Sequence, residues 1–226
     1  LLPLDAERRQ AVYAGVSQGF RAPNLSDLTR LDSARSNEIE TPVDNLDPET
    51  FVTAEIGWRR TADDWSAGVA YYHTWIDDLI VRAPTGATVD DLLEVTKRNA
   101  GEGHVQGVEL TARVNLSADW QVRAMGTWME GKAETYPTSE PIRVEDDLSR
   151  VMPLTGRLAL RWQPAGKAYW MEGVVDAADK ADRLSADDAR DTQRIPPGGT
   201  PGYVVGTLRG GVQATDALAL TLALEN

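Results

Sequence analysis

The sequence predicts an all-β protein, a wide antiparallel sheet of long strands, on three observations. Apolar and polar residues alternate with period 2 along most of the 226 residues. The connections between these stretches alternate between short and long. One side of each stretch is apolar while the other carries charge. Together these describe an antiparallel transmembrane β-barrel architecture with about nine strands in this chain.

The stretches fall near 10–20, 50–60, 65–76, 104–116, 119–130, 153–163, 168–177, 202–213 and 217–226. Each is about ten residues, where globular strands average about five or six. In 50–60 the apolar side is Val52, Ala54, Ile56 and Trp58, opposite Thr53, Glu55 and Arg59. In 104–116, Val108, Leu110, Ala112 and Val114 oppose Glu109, Thr111 and Arg113. Leu158, Leu160 and Trp162 oppose Arg157 and Arg161; Val204, Leu208 and Val212 oppose Thr207 and Arg209. In 217–226 four leucines, Leu218, Leu220, Leu222 and Leu224, share one side.

Short turns are expected at 61–64, 117–118, 164–167 and 214–216, and long connections at 21–49, 77–103, 132–152 and 178–201. A chain that climbs and descends this way has tight turns at one rim and long loops at the other. That is the habit of an outer-membrane barrel, and a Greek-key sandwich has no reason to follow it.

Trp outnumbers Phe, 7 to 2. Indole has an apolar body and one polar N–H, so it favours a boundary between dry and wet surroundings. Trp65 and Trp75 share a side and stand ten residues apart. At about 3.3 Å per residue and the usual strand tilt they are separated by roughly 25 Å, the height of a lipid-facing band between aromatic girdles. Trp120 and Trp128 repeat the pattern, and Trp58 and Trp162 sit beside short turns. These six are the expected membrane-interface aromatics. Trp170 breaks the rule, because its parity places it with Glu172. On a barrel, Glu55, Arg59, Glu109, Arg113, Arg123, Arg157, Arg161 and Arg209 should face the lumen, since a charge at mid-depth in lipid costs about 2–4 kcal/mol.

Composition excludes several classes. A net charge of −12 argues against nucleic-acid binding. The absence of Cys removes disulfides and thiolate sites. The two histidines, His73 and His104, read as isolated structural residues, so no metal site is assigned. The pairs Asp63–Asp64, Asp77–Asp78, Asp90–Asp91, Asp146–Asp147 and Asp187–Asp188 read as solvated acids in turns and loops, not as hydrolase pairs. Gly101–Gly103 lacks the rest of a nucleotide motif. Ser17, Ser66 and Ser149 have no neighbouring His in sequence, so no catalytic residue and no cofactor is assigned. No run of 18 apolar residues occurs. The start, Leu-Leu-Pro-Leu-Asp, has no Met and no leader pattern, and reads as a cut end.

Four phrases then carry a family resemblance. They are Gly19-Phe20-Arg21-Ala22-Pro23-Asn24-Leu25; Asn45-Leu46-Asp47-Pro48-Glu49-Thr50 leading into Glu55-Ile56-Gly57-Trp58-Arg59; Asn99-Ala100-Gly101 with Gly107-Val108-Glu109-Leu110; and Arg194-Ile195-Pro196-Pro197-Gly198-Gly199-Thr200-Pro201-Gly202-Tyr203. In this order they resemble TonB-dependent outer-membrane receptors, as does the end, Leu224-Glu225-Asn226. Locally, Pro48 can start a strand, Gly101 and Gly103 loosen a loop-to-strand junction, and the Pro-Gly cluster at 196–202 fixes a turn.

The resemblance implies one partial barrel domain over 1–226, with the plug domain and the last strands outside it. It implies an outer-membrane receptor of a Gram-negative bacterium, not an enzyme. It implies uptake of a scarce nutrient, such as an iron–siderophore or cobalamin-like compound, with energy from TonB. The implied partners are the TonB complex through the plug, a small-molecule or metal-chelate substrate, and outer-membrane lipid. A passive porin or adhesion barrel, and a soluble β-sandwich binding module, remain alternatives.

The four long connections hold 23 acidic and 13 basic residues, most of the net charge. The segment 21–49 is the most acidic, with seven acids against Arg21, Arg30 and Arg35. The rim therefore solvates itself or favours cationic or neutral substrates. Tyr136, Arg143 and Arg150 are the substrate-contact candidates, because aromatic and Arg side chains dominate binding hot spots.

Overall fold

The computed structural model describes residues 2–7, 9–33 and 37–226; Arg35 lies outside the described residues. Nine long strands form: β2 (Gln10–Arg21), β5 (Glu49–Thr61), β6 (Trp65–Val89), β7 (Leu92–Asn115), β8 (Trp120–Thr135), β10 (Thr155–Trp162), β11 (Tyr169–Ala178), β12 (Tyr203–Thr215) and β13 (Leu218–Glu225). Short strands β1 (Leu2–Pro3), β3 (Asp32–Ser33), β4 (Glu38–Thr41) and β9 (Val144–Asp147), with five-residue helices α1 (Leu25–Thr29) and α2 (Ala186–Arg190), complete the described elements. The sheet runs β1-β2-β5-β6-β7-β8-β10-β11-β12-β13 and does not close. Every neighbouring pair on this path is antiparallel. It is the wall of a partial barrel.

The alternation of connections holds at the rims. Residues 62–64, 116–119, 163–168 and 216–217 link strands at one end, where the β1–β2 connection also lies, and the connections that follow β2, β6, β8 and β11 lie at the opposite end. The wall is bonded from one short turn to the next. Asn115 N–H donates to Asp64 O (2.7 Å), and Gln163 N–H donates to Asp119 O (2.8 Å).

One expected loop is largely strand. Residues 77–103 continue β6 and β7 as a tall hairpin whose tip is Asp90–Asp91. Both residues take positive φ, 50° and 64°, as a two-residue primed turn demands and as Asp tolerates. Asp78 (φ 56°) and Gly86 (φ 83°) sit where the register shifts. These irregularities, with Pro84, break the alternation that would have revealed the strand. Hence Asp77–Asp78 lie within β6, Asp146–Asp147 in β9 and Asp187–Asp188 in α2, rather than in loops. His104 likewise lies inside β7 rather than opening a strand.

Gly101 and Gly103 also lie within β7 instead of at a junction. Their need is space: a Cβ on Gly103 would stand 2.8 Å from Lys132 O of the next strand.

The tall hairpin is covered by the segment after β2. Strand β4 pairs in parallel with β7 (Glu38 with Leu93, Thr41 with Thr96). Ile80, Val81, Ala83 and Val95 are buried there. Elsewhere large apolar side chains stay open, Ile56, Leu110 and Leu158 each more than half exposed. A soluble fold would not leave so wide an apolar face uncovered.

Candidate functional site

The pairing register fixes which side chains share a face. Val52 opposes Trp75, and Trp58 opposes Val69; Trp65 opposes Val114 and Val69 opposes Leu110. Val108 opposes Trp128, and Trp120 opposes Trp162. Leu158 opposes Val175, Gly173 opposes Leu208, and Val212 opposes Leu220. One continuous face therefore holds Val52, Ile56, Leu110, Val114, Leu158, Leu160, Leu220 and Leu222 with Trp58, Trp65, Trp75, Trp120, Trp128 and Trp162. On that face Arg60 lies beyond Trp58 at one edge, and Glu130 and Lys132 lie beyond Trp128 at the other, Glu130 level with Gln106 and His73. At its short-turn edge, Arg60 stacks on Trp65 (5.1 Å). Trp120, Trp162 and Tyr169 form a row with centroids 6.3 and 5.8 Å apart.

The opposite face carries Glu55, Arg59, Glu109, Arg113, Arg123, Arg157, Arg161 and Arg209 together. Trp170 is there too. Its indole lies flat along the wall, because its partner Gly211 has no side chain; a Cβ there would be 2.8 Å from Trp170 Nε1. Tyr72 lies the same way over Gly107, whose Cβ would meet Tyr72 Oη at 2.6 Å. Arg161 covers the exposed side of Trp170 at 4.2 Å.

The β8–β12 part of this face is organised around one carboxylate. Glu172 is buried, and accepts from Arg123 and from Arg209, whose Nε lies 2.7 Å from Oε1. Arg161 Nη1 stands 3.9 Å from the same carboxylate. Four residues further along the same two strands, towards the long-connection rim, Arg157 grips Asp176 through Nε (2.5 Å) and Nη2 (3.0 Å). Sequence parity places these residues on one face; the convergence on Glu172 appears only with the register.

The long-connection rim is tied down rather than loose. Arg21, at the end of β2, bridges Glu49 and Asp27, and Glu49 Oε1 also accepts Ile80 N–H (2.9 Å). Asn24 and Asp27 form a capping box on α1, each donating its N–H to the other's side chain at 3.0 Å. Burial works to raise the Asp27 carboxyl, but the Asn24 N–H and the Arg21 guanidinium outweigh it and hold the pKa below the usual aspartate value. Asn99 joins three segments, accepting from Asp47 N–H and donating to Asp47 O and Asp78 O, each at 2.8 Å. Glu40, fully buried, stands 3.4 Å from Arg82 and 3.8 Å from Arg30 and Lys97. Ser139 Oγ donates to Glu38 (2.5 Å), so the connection 136–154 reaches across to β4.

The three substrate-contact candidates differ in their surroundings. Arg143 is held by Ala100 O (2.5 Å) and Glu134 (3.0 Å). Arg150 is exposed with φ 61°, and its backbone N–H donates to Asp188 (3.3 Å). Tyr136 is half-buried just beyond β8.

The histidines are not isolated. Adjacent strands bring His73 and His104 into a parallel stack with centroids 5.4 Å apart, beside Trp75 at 4.4 Å from His73. Their separation of 31 positions hid this, since only the β6–β7 register joins them. Among the described residues, no group of three or more His, Asp or Glu side chains is placed to hold a metal ion.

Residues 6–226 match the family model described as TonB dependent receptor-like, beta-barrel. No curated protein matches in sequence. Among solved structures, the ferric enterobactin receptor PfeA of Pseudomonas aeruginosa, as one mutant, superposes with a TM-score of 0.73 at 18% identity, over 99% of this chain and 33% of that one. The copper transporter OprC gives 0.69 at 18%, over 96% and 31%. The ferric-catecholate import receptor Fiu of E. coli K12 gives 0.65 at 16%, over 98% and 29%. The chain thus spans about a third of the length of the structures it matches. With a family model covering nearly all of its residues and an open antiparallel wall of the matching architecture, the chain belongs to the TonB-dependent receptor β-barrel family.

Proposed function

We propose that this chain forms part of the wall of an outer-membrane receptor that imports a scarce nutrient with energy relayed by TonB. The wide apolar face, whose charged residues stand only towards its two edges, carries this reading. It suits lipid, where a mid-depth charge costs about 2–4 kcal/mol. The charged face, with Glu55, Arg59, Glu109, Arg113, Arg123, Arg157, Arg161 and Arg209, then lines the interior, against water and the plug domain of the receptor.

The cargo class is a metal chelate of the siderophore kind. Its support is the company the fold keeps: solved neighbours titled as ferric enterobactin, ferric-catecholate and copper proteins. The wall does no bond chemistry; it binds, encloses and releases. Cargo meets the long-connection rim first, where Tyr136 and Arg150 lie within reach. Arg143 takes a supporting role there, because its guanidinium is committed to Ala100 and Glu134.

Uptake of a radiolabelled ferric chelate by cells carrying the intact receptor tests the reading. Loss of TonB should abolish uptake while surface binding persists. Uptake that continues without TonB would mark a passive channel instead. Removing 136–143, which spares β9, should weaken surface binding with the barrel still assembled.

A further inference from the structure

The charged face is not uniform. On β2–β7, Glu55 and Glu109 match Arg59 and Arg113 in number. On β8–β12, Arg123, Arg161 and Arg209 converge on Glu172 alone, leaving a fixed surplus of two positive charges. The Glu172 side chain has no exposure, whereas those of Arg123 and Arg209 are 44% and 45% exposed. Each guanidinium has five N–H donors. Arg209 spends Nε and Nη2 on Glu172, Arg123 spends Nη2, and Arg161 spends Nε and Nη2 on Gln163. The remaining donors project from a scaffold held in place by Glu172 and by the Trp170 ring under Arg161.

Beside this cluster, at the short-turn end, lies an open basin of about 830 Å³. Arg161 belongs to both. Asn115, Gln121, Gln163 and Lys167 line the basin with Arg161, and its acids are Asp64 and Asp119. Asp119 is engaged, accepting Ala165 N–H at 2.8 Å.

We propose that Arg123, Arg161 and Arg209, organised by Glu172, form a binding station for a small, carboxylate-rich anion near the short-turn end of the interior wall. The cluster already holds one carboxylate in the paired geometry that guanidinium favours, and its surplus charge fits a second. The inference rests on the charged face being the inner one.

Citrate is the probe, titrated calorimetrically into the purified intact receptor at matched ionic strength with chloride as control. Saturable citrate binding is expected, weakened at least tenfold by Arg123→Gln and by Arg209→Gln. Arg209→Lys, which keeps the charge but loses the fork, should fall between. Arg157→Gln should leave binding unchanged, because that guanidinium is occupied by Asp176. Heat-modifiable mobility on gels confirms that each variant has folded. Absence of saturable binding in the wild type, or equal weakening by Arg157→Gln, overturns the proposal. So does a wild type that ignores citrate but loses thermal stability on Arg123→Gln, since the cluster would then be covered by an acidic part of the receptor itself. No TonB is needed for the measurement, so it fails or succeeds independently of energised uptake.

Discussion

The two faces of the wall differ in how much of their organisation is local. The apolar face is a repeated rule: most alternate residues, strand after strand, are aliphatic, aromatic or glycine, with Trp towards the edges. The charged face is a set of individual arrangements, such as three arginines on Glu172, Arg157 on Asp176, and flat rings over Gly107 and Gly211. Lipid asks only for apolarity and height. A wet, crowded interior asks for particular partners.

The contrast breaks most sharply if charge is moved across it. Leu110→Arg, midway between the Trp levels of the apolar face, should destabilise the intact barrel by about 2–4 kcal/mol in bilayers. Thr111→Arg, next in sequence on the charged face, should stay within about 0.5 kcal/mol. Urea titration in lipid vesicles reads both. Equal effects would erase the distinction between the faces.

A smaller effect tests the close strand approach above the band. Gly103→Val would drive a branched side chain against Lys132 O and Ala133, and should cost about 1–3 kcal/mol. The same titration measures it; an unchanged midpoint would mean that β7 and β8 separate there without penalty.

The smallest effect belongs to the rim. Asp27 has a lowered pKa in the fold, so its carboxylate stabilises the α1 cap above the unfolded aspartate value near 3.8. That contribution drains away as pH falls through the lowered folded value. The protection of the Asn24 amide, the slowing of its exchange relative to the intrinsic rate at the same pH, should therefore fall in acid, and Asp27→Asn should remove that fall. A protection factor in the wild type that does not change with pH would contradict the capping role.

These differences explain what could be read from sequence. Face membership needs only parity, so Glu55, Arg113 and Leu158 were assignable before any pairing was known. The tall hairpin was hidden because Asp78, Pro84 and Gly86 interrupt its period. Strand β4 was hidden because its parallel partner Leu93–Thr96 is more than 50 residues away. The Glu172 cluster draws on β8, β10, β11 and β12, and the His73–His104 stack on β6 and β7; neither exists without the register. Of the rim candidates, Arg143 looked available because nothing local shows that Glu134 and Ala100 hold it.

The account stands chiefly on which face meets lipid. Spin labels at Leu110 and Arg113, one at a time in the intact receptor reconstituted in bilayers, test this most directly. Residue 110 should be relaxed strongly by oxygen, which concentrates in lipid, and residue 113 by a water-soluble nickel chelate. Reversed accessibilities, or both labels reporting water, would contradict the assignment of this wall.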